Sequence, residues 1–197
     1  VKKLRLDPSD LLLEIVSIVI AILLAFALNA WNDQRKTDAA VHDSLVDIRR
    51  EVEFNRSIVA RDVVRHAAFN AAYKTYLASH RKIGVQPFFT LFDRYAGHGF
   101  HPFSGESTAW DIARSLPSAI AIPLDLRTMI ERTYAEQHRL ADQGQRVVDD
   151  LHIPATTDDP NLYLATIGIS LDSGDVVSSE RRLLELDDTL LKRLPSQ

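Results

Sequence analysis

The chain has 197 residues, 46% of them hydrophobic, with 23 Lys and Arg against 27 Asp and Glu for a formal net charge of −4. That length holds one membrane segment and one compact domain, and an acidic balance argues against binding to phosphate backbones. The absence of cysteine removes disulfides, thiolate nucleophiles and cysteine-ligated zinc or iron–sulfur centres.

Residues 1–32 carry Lys2, Lys3 and Arg5 against Asp7, Asp10 and Glu14, so the acidic surplus lies wholly beyond them. The chain opens on Val1, and a short N-terminal piece is expected to precede it. From Leu11 to Trp31 only Glu14 is charged, about the 20 residues that cross roughly 30 Å of hydrocarbon. Asp7-Pro8 reads as an N-cap and first-turn proline, and Trp31 as an interfacial anchor at the far end. Ala25-Phe26-Ala27 resembles a signal-peptidase site, but Glu14 would interrupt the apolar region of such a leader. An uncleaved anchor is the favoured reading. Basic residues flank both ends of the span, and the short basic tail favours a cytoplasmic N-terminus and a periplasmic domain.

One face of this helix differs from the others. Glu14, Ser17, Ala21, Ala25 and Asn29 follow spacings of three and then four, forming a narrow stripe of small and polar residues. Such a stripe allows close approach of another membrane helix, from a copy of the chain or from a different integral membrane subunit.

Between Pro8 and Gly84 there is neither glycine nor proline, so the membrane helix is expected to run on to about residue 80, with a kink allowed near Asn32–Thr37. Its later part carries a 4-3-4-3 seam through Val41, Leu45, Ile48, Val52, Asn55, Val59, Asp62, His66, Phe69, Tyr73 and Tyr76. Asp62 breaks it and His66 reads as a packed side chain. A helix within a bundle is preferred to a self-associating coiled coil.

Residues 81–107 are expected to be an irregular, aromatic-rich loop. Phe88, Phe89, Phe92, Phe100 and Phe103 either cap the bundle core or form an exposed partner surface. His98 and His101 are weak metal candidates, because they supply only two ligands. No catalytic site and no cofactor site is expected, and the charged residues of the helices are read by default as solvated faces.

Thr108-Ala-Trp-Asp111 fits a loose capping box for a short helix ending near Leu116-Pro117. A longer helix follows, with Pro123 near its start. After a loop at 154–159, a helix from Asn161 to about Ile169 or a strand over Leu162–Leu171 is expected, and then a last helix over Val177–Leu194.

The stretch Glu14-Ile-Val-Ser-Ile-Val-Ile-Ala-Ile-Leu-Leu-Ala-Phe-Ala-Leu-Asn-Ala-Trp-Asn-Asp-Gln-Arg35 resembles a broad group of small bacterial single-span membrane proteins. Their span ends in Asn-x-Trp and a basic residue and is followed by a helical region. Thr108-Ala-Trp-Asp-Ile-Ala-Arg-Ser115 is similar to a Thr-x-Trp segment of many members. The likeness covers roughly 30 of the 197 residues, and Ala21 stands where the group often has glycine. It implies an anchor and a bacterial source, and no activity.

The expectation is therefore an all-α protein. Residues 1–36 form a tail and transmembrane anchor, and residues 37–197 a soluble helical domain. It would serve as a non-enzymatic accessory or scaffold subunit of a bacterial inner-membrane complex of respiratory, photosynthetic or transport type. The alternatives are an anchored sensor or enzyme with a pocket near His98, His101 and Trp110, and a self-assembling coiled-coil protein.

Overall fold

The computed structural model of the chain describes residues 8–79, 100–151 and 159–196. Among them all regular structure is helical: α1 (Pro8–Ser79), α2 (Thr108–Ser115), a 3-10 turn (Pro117–Ala121), α3 (Leu124–Leu151) and α4 (Asp159–Leu191). The fold is all-α, and its long N-terminal helix packs against the later ones.

Helix α1 has 72 residues, which at 1.5 Å each gives a rod on the order of 100 Å. With no glycine or proline after Pro8, nothing in its sequence opposes helix continuation. It passes without interruption through Asn32–Thr37. Every residue from Leu12 to Lys36 is exposed, whereas Leu45, Ile48, Val52, Asn55, Val59, His66, Phe69 and Tyr73 are all buried. The seam expected from spacing is thus the buried face of a bundle helix.

Helices α3 and α4 complete a three-helix bundle with this half of α1. Tyr134 meets Glu51 and Gln137 meets Asn55, so α3 runs parallel to α1. Arg49 meets Leu191 and Leu194, Arg56 meets Asp188, His66 meets Glu180, and Asn70 meets Ser173. That order makes α4 antiparallel to α1. Its C-terminus therefore returns to the end of the bundle nearest the exposed span.

The run 162–171 is helix, and it does not end before residue 177: α4 is continuous through Gly168 and Gly174. Burial explains this. Ile169, Val176, Leu183 and Leu190 recur every seventh residue and are each exposed by no more than 1%. A row buried on both sides of Ser170–Asp175 outweighs the roughly 1 kcal/mol that a glycine costs within a helix.

Two apolar clusters fill the bundle. The one nearer the span joins Leu45, Ile48 and Val52 to Trp110, Ile122, Ile130, Tyr134 and Leu190. The distal one joins Val59, Phe69 and Tyr73 to Phe100, Leu140, Val147, Ile169 and Leu183. An irregular strap, residues 100–107, runs back along α1 from the level of His66 to that of Asn55. It presses so close to α3 that a Cβ on Gly144 would stand 2.9 Å from Pro102 Cα, so a side chain there would force the strap outward.

Helix α2 does not use the local capping box expected at Thr108. Ser107 is the N-cap residue and makes no side-chain bond to the backbone. The Ala109 N–H instead donates to Oε2 of Glu51 at 2.9 Å, so the helix start is held by a carboxylate from α1.

Candidate functional site

The stripe of small and polar residues lies on the apolar part of α1, and no other described element covers it. Glu14, Ser17, Ala21, Ala25 and Asn29 are all exposed, and the Ser17 hydroxyl folds back to donate to the Glu14 carbonyl at 2.8 Å. Ala25 and Asn29 line a shallow open groove with Ile22, Phe26, Leu28 and Asn32. Trp31 is exposed, and the Arg35 guanidinium sits 5.1 Å above its ring. Among the described residues this is the one helix long and apolar enough to cross a membrane.

The aromatic and histidine candidates separate. Phe88, Phe89, Phe92 and His98 lie outside the described residues. Phe100 is buried, its ring stacked on His66 with centroids 4.3 Å apart and 5.8 Å from that of Phe69. Phe103 is half-buried against the same cluster. These two rings pack the core, so they do not belong to an exposed partner surface. His101 is exposed, and no group of three or more His, Asp or Glu among the described residues is arranged to hold a metal ion. Trp110 is buried and stacks on Tyr134 at 6.4 Å, which leaves it to the core.

What spacing alone did not reveal is a ladder of polar side chains inside the bundle. On α4, Thr166, Ser173, Glu180 and Asp187 recur every seventh residue beside the apolar row, and each is exposed by 2% or less. On α1, Glu51, Asn55, His66 and Asn70 are buried as well, the last two against α4 and the first two against α3 and the segment 106–109. Glu51 and Glu180 therefore depart from the solvated-face default, as does Asp187.

The rungs can be followed from the span outward. Glu51 accepts from the Tyr134 hydroxyl at 2.6 Å as well as from Ala109 N–H. Asn55 holds both backbone groups of Glu106, donating to its carbonyl at 2.7 Å and accepting from its N–H at 2.9 Å. The same amide nitrogen donates to Gln137 Oε1 at 3.2 Å. His66 Nδ1 lies 2.6 Å from Glu180 Oε1. Asn70 donates to the Ser170 carbonyl at 2.6 Å and to Ser173 Oγ at 2.9 Å.

Some rungs are incomplete. Among the described residues, both carboxyl oxygens of Asp187, Oε2 of Glu180 and Nε2 of Gln137 are buried without a hydrogen-bond partner. Burial pushes the Asp187 carboxyl up to about 7, with Arg56 pulling it down and Asp188 pushing it further up. Burial also raises Glu180, against the opposing pull of His66. The Tyr134 hydroxyl is driven up by burial and by its bond to Glu51. The His66–Glu180 and Asn70–Ser173 pairs fix the register of α1 against α4.

A sequence signal for the ladder exists. The seven-residue repeat Ile169, Val176, Leu183, Leu190 carries a polar residue three positions before each member. It is masked by the Ser170–Asp175 run, whose composition reads locally as a helix stop. Comparison with protein-family models, with curated proteins and with solved structures gave no match to this chain.

Proposed function

We propose that this protein is a membrane-anchored, non-enzymatic helical scaffold: an accessory subunit of a larger bacterial inner-membrane complex. One observation carries the reading. A single unbroken helix supplies both an apolar, fully exposed segment of membrane-spanning length and the buried seam of the extramembrane bundle. A bundle built on its own anchor is held at a set distance from the bilayer, as a subunit that bridges other components requires. The stripe from Glu14 to Asn29 is the docking face for a neighbouring membrane helix, and the bundle lies on the periplasmic side.

Mild detergent extraction followed by native mass measurement tests this. The expected result is co-migration with other integral membrane subunits, lost in the Ala21→Leu/Ala25→Leu variant while the melting of the bundle is unchanged. A lone monomer, or association that survives the double substitution, would count against it.

A second reading, an anchored sensor, is favoured by the buried carboxyls of Glu180 and Asp187. Both are on the α4 face turned toward the helix that carries the span. A thermal shift of the purified chain on adding a small ligand, with loss in Asp187→Asn, would turn the choice toward it.

A further inference from the structure

Asp187 differs from its neighbours in the polar row of α4. Glu180 has His66, and Ser173 has Asn70. Asp187 is fully buried, and neither of its carboxyl oxygens has a hydrogen-bond partner among the described residues. A carboxylate sealed from water without a donor is among the most costly states a core can hold, so the closed bundle favours the neutral acid. The groups that act on it are Arg56 from α1, Tyr134 from α3 and Asp188 beside it on α4. Tyr134 is itself bonded to Glu51 and acted on by Asp111 from α2.

Ionisation of this group therefore demands water, and the packing shows where water enters most easily. Beyond Asp187, α4 ends at Leu191. That end is closed by Leu190 and Leu194, which pack with Leu45, Ile48 and Tyr134, and by Arg49 on the carbonyls of Leu191 and Leu194. The two ion pairs there, Arg56–Asp188 and Arg193–Asp125, join half-exposed side chains and add little. On the other side of Asp187, the side chains of Leu183, Val176 and Ile169 are buried, and Glu180 and Ser173 are bonded to α1. Hydrating Asp187 from that side would part the whole bundle, whereas the end of α4 opens at the loss of few contacts.

We propose that the end of α4 is a proton-held latch. With the Asp187 carboxyl protonated, residues 187–194 lie closed on α1 and α3. When the proton leaves, they swing out to hydrate the charge, while the His66–Glu180 pair keeps the earlier part of α4 in place.

The direction of the response follows from linkage. The folded chain holds this proton more tightly than the unfolded one, so closure is complete at low pH and is lost as pH rises through neutrality. Opening uncovers the apolar cluster that Leu190 and Leu194 share with Trp110 and Tyr134. That cluster is the one nearer the span, so the device acts at the span-facing end of the bundle. None of its groups lies within the span, and the latch stands or falls independently of the anchor reading.

Amide hydrogen exchange of the full chain in detergent, read by peptide mass, tests the latch. The quantity compared is the exchange rate of residues 187–194 divided by that of residues 166–180, a ratio in which the direct effect of pH on amide chemistry cancels. In the parent it is expected to rise severalfold between about pH 6 and about pH 8.5. In Asp187→Asn, whose side chain stays neutral, it should remain level. A level ratio in the parent, whether no segment responds or all helices loosen together, would overturn the proposal. An equal rise in Asp187→Asn would overturn it too, by assigning the opening to another group.

Discussion

His66 Nδ1 and Glu180 Oε1 meet at 2.6 Å between α1 and α4, 114 positions apart in the chain. Both side chains are buried, and the Phe100 ring stacks over the imidazole. The pair joins the strap, α1 and α4 at one level of the bundle. Such contacts contribute more to the choice of a single register than to net stability, because desolvation offsets most of their attraction.

Removing one member exposes that balance. Glu180→Leu leaves the His66 Nδ1 buried without its partner and is expected to destabilise the bundle by on the order of 3 kcal/mol. Glu180→Gln, which keeps a hydrogen-bonding group, should lose less. Adding His66→Phe to Glu180→Leu should recover most of the loss, since both ends then become apolar. Urea unfolding of the detergent-solubilised chain, followed by helical circular dichroism, gives the three values. A double variant less stable than either single one would refute the account.

Asp187 gives the fold a pH dependence. Its folded-state value of about 7 lies above the ordinary value near 3.9, so the native state holds the proton more tightly than the unfolded chain does. The stability from that proton is complete below about pH 4 and declines as pH rises toward 7. Glu180 slopes in the same direction, and the groups acting on Asp187 are Arg56 from α1, Tyr134 from α3 and Asp188 beside it. The contribution of Asp187 is therefore read as a difference between two proteins. Asp187→Asn should match the parent near pH 3 and exceed it at pH 8 by a few kcal/mol at most, in urea midpoints measured across that range. A variant less stable than the parent at pH 8 would show that Asp187 is paired rather than strained.

Asn55 holds the strap. Its side-chain amide satisfies both backbone groups of Glu106 and reaches Gln137, so Asn55→Leu removes the partner of a part-buried carbonyl and N–H at a cost of about 1 kcal/mol. Hydrogen exchange should rise over residues 103–109 and remain unchanged in the distal parts of α3 and α4. Uniform acceleration through all helices would assign Asn55 to global stability instead.

Much of the architecture was legible because its signals are local and repetitive. The breaker-free run after Pro8 predicted α1, and the 4-3-4-3 seam from Leu45 to Tyr73 predicted its buried face, including the packed role of His66. The stop near Leu116-Pro117 and the helix start after Pro123 also stand as read. The stripe on the span was legible as a pattern, since a helix needs only its period to place residues on one face. The polar ladder was not, because Glu51, Asn55, Glu180 and Asp187 are residue types that usually face water. Their burial depends on which helix lies opposite.

By itself, then, the sequence determined that the chain is helical, where its apolar span lies, and which face of α1 is buried. Those properties follow from propensity and periodicity within one segment. Only the tertiary structure decided three others. Helix α4 crosses Gly168 and Gly174 because rows on either side are buried together. Helix α2 is capped by Glu51 from α1 rather than by its own Thr108. The Leu191 carbonyl at the end of α4 and the Leu194 carbonyl just past it are held by Arg49, more than 140 positions away in the chain. In each case the satisfying group comes from another element, and a backbone or polar group removed from water takes whichever partner the packing brings within reach.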